Sequence, residues 1–175
     1  MTDRSPESAA PAFVVAPAGP DDAEAIAEFN VRLAEETESK RLDPATVRAG
    51  VAAALADPAK ALYFVARPAA GTAGGPASGE PPIGCLMVTW EWSDWRNGAI
   101  WWIQSVYVHP DHRGRGAFRR LLDHAAGAAV DAGAVGLRLY AERENHAAHA
   151  VYARCGFVEP GYVVFERAPA GATGL

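Results

Sequence analysis

The residues best suited to chemistry lie in two stretches of this 175-residue chain. The first, Val106 to Leu122, reads VYVHPDHRGRGAFRRLL. An apolar, β-branched strand runs into His109-Pro110. A basic turn punctuated by glycine follows, Arg113-Gly114-Arg115-Gly116, and then an amphipathic helix. A turn at a helix start presents backbone N–H groups and the positive end of the helix dipole, and both favour an anion, most often a phosphate. Arginine adds charge and fork-shaped donors. Taken alone, the stretch is also compatible with a basic surface turn, because short glycine motifs recur by chance. The second stretch, Asn145 to Phe157, reads NHAAHAVYARCGF. Read without its neighbours, Tyr152 is a core aromatic of an amphipathic helix.

Together the two stretches resemble the GNAT superfamily of N-acetyltransferases. The superfamily's first motif is Arg/Gln-x-x-Gly-x-Gly/Ala. Arg113 and Gly116 match it, and Phe118 stands where a small residue is usual. The second motif is Asn, Ala three residues on, Tyr four further, then Gly-Phe. Asn145, Ala148, Tyr152, Gly156 and Phe157 match it. The motifs keep the family's order, separated by one helix and one strand.

The resemblance implies an α/β fold: a mixed six- to seven-stranded sheet with helices on both faces, splayed between strands four and five. It implies acetyl-CoA as co-substrate and no metal. The pantetheine arm would lie in the splay like an added strand, against main-chain groups of Val106, Tyr107 and Val108. The diphosphate would sit on the turn formed by Arg113, Gly114, Arg115, Gly116, Ala117, Phe118 and Arg119. Glycine at Gly114 and Gly116 would let phosphate approach the backbone, and the Phe118 ring is expected to pack inward under the turn. Asn145 and Tyr152 complete the implied coenzyme contacts. Tyr152 is the implied acid for the departing thiolate, and the Val106 N–H is the implied donor to the oxyanion.

An attacking primary amine must first lose a proton, since its reference pKa is about 10.4. The fourth strand, Ala99 to Val108, carries no acid, and Gln104 can only position a water. Glu91, across the Asn97-Gly98 turn, is the candidate base by topology. Glu142 is second, and a water chain to solvent is the alternative. Glu35, Glu36 and Glu38, with Glu91 and Asp94, would form an acidic funnel that favours a positively charged small amine. All five tryptophans fall between Trp90 and Trp102. They suit cross-strand packing, an aromatic acceptor wall or a homodimer surface. His146 and His149 have helical spacing but no third ligand, and read as a cap or surface pair.

The elements that must position these residues follow from pattern. Phe13–Ala16 is a short strand. A helix starts at Pro20-Asp21-Asp22 and runs to about Glu36, with Ile26, Phe29 and Leu33 on one face. Asp43 caps a second helix with Pro44 in its first turn, ending near Asp57-Pro58. Leu62–Arg67 and Ile83–Trp92 are strands, joined by a Gly/Ala/Pro-rich loop at residues 68–82. A third helix spans Gly114 to about Ala132, apolar at Phe118, Leu121, Leu122, Ala125 and Val130. Val135–Ala141 is the fifth strand, and Asn145 to about Arg154 the last helix, with Gly156 at its C-cap. Phe157–Phe165 is expected as a sixth strand, broken at Pro160-Gly161.

Residues 1–12 read as a disordered tail, 13–167 as one domain and 168–175 as a loose end. The length suits one domain with a full core. A net charge of −5 argues against nucleic acid as main partner. Cys85 and Cys155 read as two buried, reduced thiols. No apolar run spans a membrane, and the start lacks a secretory pattern, so the cytoplasm is the expected compartment. The expected function is acetyl-CoA-dependent transfer to a primary amine of a small molecule. A protein or peptide acceptor and a non-catalytic acyl-CoA-binding module are the alternatives.

Overall fold

The computed structural model describes residues 13–69 and 80–167. The expected tails at 1–12 and 168–175, and most of the loop at 68–82, lie outside the described residues. The chain divides into two compact units, Met1–Glu142 and Arg143–Leu175.

In the first unit, β1 is Phe13–Pro17, α1 Ala23–Glu38, α2 Pro44–Ala56, β2 Leu62–Pro68, β3 Gly84–Ser93, β4 Gly98–Val108, α3 Ala117–Asp131 and β5 Gly136–Leu139. Single 3₁₀ turns at Pro20–Asp22 and Pro110–His112 precede α1 and α3. The sheet runs in chain order, β1-β2-β3-β4-β5. It is antiparallel throughout except for the parallel pair β4–β5. Strand alternation sorts the core into two layers. Tyr63, Val65, Cys85 and Tyr107 pack with Ile26, Phe29, Val51 and Ala54 of α1 and α2. The opposite face takes α3: the His124 ring meets Phe64 edge-on at 4.9 Å. Helices therefore cover both faces of a mixed sheet.

Local signals set the helix ends. Asp43 accepts the Thr46 amide at 2.9 Å and Pro44 occupies the first turn, because a helix start needs acceptors for its amides and none for a proline. Asp22 is buried, accepts the Gly19 amide at 3.0 Å and pairs with Arg67 of β2, so a buried carboxylate has both a hydrogen bond and a counter-charge.

Three expectations are corrected. The third helix starts at Ala117, not Gly114, because Gly114 and Gly116 hold φ of +71° and +89°, which an α-helix cannot contain. Its buried stripe is Ala117, Leu121, Leu122, Ala125 and Ala129, while Val130 in the last turn is exposed. Among the described residues the sheet has five strands rather than the six or seven expected. Residues 157–167 carry no strand, and Val158, Tyr162, Val163, Val164 and Phe165 are all exposed. Apolar alternation makes a segment fit to pair, but a strand also needs a partner edge, and Pro160-Gly161 interrupts this one.

Gly84 lies where β3 passes closest to β4. A Cβ there would stand 2.6 Å from the Tyr107 carbonyl oxygen, and backbone has little room to yield. Gly84→Ala is expected to lower stability by roughly 1–3 kcal/mol through overpacking. A denaturant midpoint equal to the wild type's would show that the two strands can separate without cost.

In the second unit, α4 is His146–Arg154. Asn145 is its N-cap and accepts the Ala148 amide at 3.1 Å. The chain leaves α4 through Gly156 at φ +86°, and the Phe157 amide returns to the Tyr152 carbonyl at 3.0 Å. This is the glycine-terminated helix end with its hydrophobic return contact: the Phe157 ring meets Tyr152 at 6.0 Å.

Candidate functional site

The site in the first unit begins with a register fault. Met87 of β3 opposes Ser105 of β4, but Val88 opposes Ile103. Gln104 is therefore the extra residue of a β-bulge, which bends a strand and increases its twist. Parallel pairing of β4 with β5 covers only Ile100–Ile103 with Gly136–Leu139. The bulge falls at the residue where that pairing stops, so the strands part where β4 bends.

Which main-chain groups line the parted edge follows from the ladder. The His109 amide donates to the Ile83 carbonyl at 2.8 Å. Bonded pairs alternate in an antiparallel ladder, so Tyr107 and Ser105 turn their peptides toward β3, while Val106 and Val108 turn theirs toward the edge β5 has left. The Val108 carbonyl accepts from Arg113 Nε at 2.8 Å, consistent with that direction. Tyr107 thus differs from its neighbours. Its peptide belongs to the β3 side, and its buried side chain reaches back to α1, where its hydroxyl donates to Glu36 Oε1 at 2.7 Å.

The turn after β4 has the conformation its glycines allow. Gly114 and Gly116 both hold the left-handed backbone, and a Cβ at either would meet no atom within 4 Å. Glycine is needed there for φ, and the space in front of the turn stays open. The helical ladder opens with the Arg120 amide on the Gly116 carbonyl, so the amides from Gly114 to Ala117 lie ahead of it, at the positive end of the α3 dipole. Ala117 is the residue buried beneath the turn; Phe118 is only half-buried, so the inward position expected of Phe118 belongs to Ala117. Arg119 pairs with Asp123 at 2.8 Å. Arg115 is exposed.

Arg113 does not extend along the turn. Its Nη2 lies 2.6 Å from Glu36 Oε2, and its guanidinium sits 5.3 Å from the centre of the Tyr107 ring. Arg113 first, and the Tyr107 hydroxyl after it, hold the Glu36 carboxyl below the usual range, against the effect of its partial desolvation. Burial, followed by the Glu36 carboxylate, pushes the Tyr107 phenol up.

A second network lies beside the bulge. Gln104 Nε2 donates to Thr89 Oγ1 at 2.7 Å, and the Tyr140 hydroxyl donates to Gln104 Oε1 at 2.9 Å. Side chains thus bridge β4 to the end of β5 where backbone pairing has stopped. Glu91, the expected base, accepts the Trp102 indole N–H at 3.0 Å and lies 3.4 Å from Arg138. It sits opposite Ile100, six residues from Val106, about 20 Å along the strand by its rise.

The expected acidic funnel is largely neutralised: Glu36 by Arg113, Glu38 by Lys40, and Glu91 by Arg138. Of the tryptophans, Trp90 and Trp101 pack together at 6.5 Å, whereas Trp92 and Trp95 are exposed. No cluster able to hold a metal occurs among the described residues, and His146 and His149 simply face each other edge-on.

In the second unit, Asn145 spends its carbonyl oxygen on the cap of α4. Tyr152 is half-buried, and burial, then the neighbouring Cys155, raises the pKa of its hydroxyl.

The bulge, the Glu36 pairings and the Tyr140–Gln104–Thr89 bridge had no place in the sequence reading. The one trace of the bulge in the sequence is the polar pair Gln104-Ser105 within an apolar strand; the bulge itself shows only in the register, where Ile103 and Val106, an odd number apart, pair with Val88 and Leu86 on one face.

The two thiols differ sharply. Cys85 is fully buried and burial pushes its thiol up to about 12, whereas Cys155 is partly exposed. Native protein is expected to react with a thiol reagent at Cys155 alone, and at Cys85 only after denaturation. Equal rates at both would mean that the α1–sheet core opens readily. The result also fixes the background for any assay that reads free thiol.

Comparison with known proteins accords with this geometry. Residues 32–157 match the family model described as the acetyltransferase (GNAT) family. A possible acetyltransferase from Clostridium difficile 630 is 37% identical, with a TM-score of 0.79 over 90% of this chain and 97% of that one. A ribosomal-protein-alanine N-acetyltransferase from Brucella melitensis biovar Abortus 2308 shares the fold at 20% identity, with a TM-score of 0.65 over 90% and 99% of the two chains. So does an aminoglycoside acetyltransferase from an uncultured soil metagenomic sample, at 14% identity, with a TM-score of 0.67 over 90% and 97%. Curated protein sequences yield no match. The chain thus belongs to the acetyltransferase (GNAT) family.

Proposed function

We propose that the protein transfers the acetyl group of acetyl-CoA to a primary amine of a small molecule. The observation that carries the reading is the coincidence of three features in one stretch of chain. β4 bulges at Gln104 and leaves β5, Val106 and Val108 turn their peptide groups to the vacated edge, and the left-handed glycine turn follows directly. The edge suits the two amides of a pantetheine arm, and the turn suits a diphosphate.

In this reading the amine nitrogen attacks the thioester carbon, the C–N bond forms and the C–S bond breaks. The Val106 N–H stabilises the negative oxygen of the tetrahedral state. The Tyr152 hydroxyl gives its proton to the departing thiolate, a role supported by the burial that keeps the phenol protonated. The proton of the attacking amine leaves through water held near Gln104. Glu91, engaged by Trp102 and Arg138 and remote along the strand from Val106, serves as a wall residue. With most acceptor-side carboxylates already paired, discrimination by acceptor charge is weak.

The test is release of free coenzyme A from acetyl-CoA with a panel of small primary amines, peptide amines and no amine. Turnover that requires a small amine supports the proposal, and turnover with peptides alone transfers it to a peptide acceptor. The absence of an acid between Ile100 and Val108 favours one other reading, a binding module without catalysis. Tight coenzyme binding with no turnover on any amine would decide for that module.

A further inference from the structure

Arg113 occupies the first position of the turn motif, yet its contacts point back into the fold. It bonds the Val108 carbonyl at the end of β4 and Glu36 in the last turn of α1, 77 residues away in sequence. Glu36 in turn accepts from Tyr107, whose ring is stacked on Phe29 at 5.2 Å. One planar guanidinium thus joins β4, α1 and the start of the turn, which a lysine's single point charge could not do. The turn needs such an anchor. Its two left-handed glycines are conformationally loose when unsupported, and Ala117, nearly fully buried, holds only its far end.

We propose that the Glu36–Arg113 pair is a positioning clamp for the coenzyme turn, with Arg113 acting on the coenzyme through the backbone it holds and not by touching a phosphate. This rests on the reading that the turn binds coenzyme A. The clamp reverses the sign that simple electrostatics gives for Glu36. A carboxylate near a site for an anionic ligand opposes binding, so its neutralisation should tighten it. If Glu36 instead holds Arg113 and the turn, neutralising it loosens binding.

The experiment is calorimetric titration of coenzyme A into wild type, Glu36→Gln, Glu36→Asp, Arg113→Met and the Glu36→Gln/Arg113→Met double variant, at two salt concentrations. Misplaced donors should weaken binding about tenfold in Glu36→Gln. Glu36→Asp keeps the charge but shortens the reach, so it should lose affinity as well, and it serves if the glutamine variant fails to fold. The double variant should lose no more than Arg113→Met alone, because both break one unit. The salt dependence of binding should survive in Arg113→Met, since no phosphate contact is removed.

Binding by Glu36→Gln as tight as or tighter than wild type would overturn the clamp. So would a salt dependence that flattens in Arg113→Met, which would mark Arg113 as a direct phosphate ligand. A wild-type protein that does not bind coenzyme A would instead overturn the coenzyme reading, and the clamp with it.

Discussion

Gly116→Asp is expected to lower affinity for coenzyme A at least about tenfold while leaving a folded protein, since a carboxylate facing a diphosphate adds charge repulsion. The fold should survive. A Cβ at Gly116 meets nothing within 4 Å, so the cost is that of holding a left-handed residue, about 1–2 kcal/mol. Binding should not survive, for two reasons. Gly116 is the N-cap of α3, and an aspartate there is a natural acceptor for first-turn amides, so the new side chain both repels the phosphate and competes for its donors. Gly116→Asn separates the effects. Asparagine tolerates the left-handed backbone and carries no charge, so it should lose clearly less affinity than aspartate. A folded aspartate variant with unaltered calorimetric affinity would remove the turn from the coenzyme site.

Tyr152→Phe is expected to lower kcat on the order of 10²-fold, with little change in the KM for acetyl-CoA, because a proton given to the leaving thiolate matters only in the transition state. The aromatic packing against Phe157 persists in phenylalanine, so the variant is expected to stay folded. The pH dependence has a definite sign. Burial raises the phenol's pKa above its ordinary value of about 10. The hydroxyl therefore stays protonated through the neutral range, and any loss of activity from its ionisation comes only above that value. A phenylalanine variant with full kcat on a good acceptor would leave Tyr152 with packing alone.

Much of this protein is decided within a few residues of chain, and that part was legible. Asp43 with Pro44, and Asn145 with the Ala148 amide, are contacts spanning three residues or fewer. The Gly156-Phe157 exit from α4 closes onto Tyr152 five residues back. Such motifs carry their own hydrogen-bonding logic wherever they occur. The glycine turn belongs to the same class, since two left-handed residues in three cannot continue a helix. The start of α3 at Ala117 follows from that rule.

What the tertiary structure alone decided is how distant pieces meet. The slip at Gln104 exists only because β3 keeps its period while β4 does not, and register is a relation between two strands. Arg113 is a phosphate candidate in isolation and an anchor once Glu36 stands beside it, 77 residues away. Glu91 is the nearest acid by topology, but Trp102 and Arg138 occupy it. The expected sixth strand had the right residues, but Pro160-Gly161 interrupts it and residues 157–167 carry no strand. The sequence by itself determined the caps, the turn and the family motifs, because each closes over short chain distances. The bulge, the Glu36–Arg113 pairing and the strand count waited on the fold, because each depends on a partner whose position no local pattern specifies, whereas the splay came with the family resemblance.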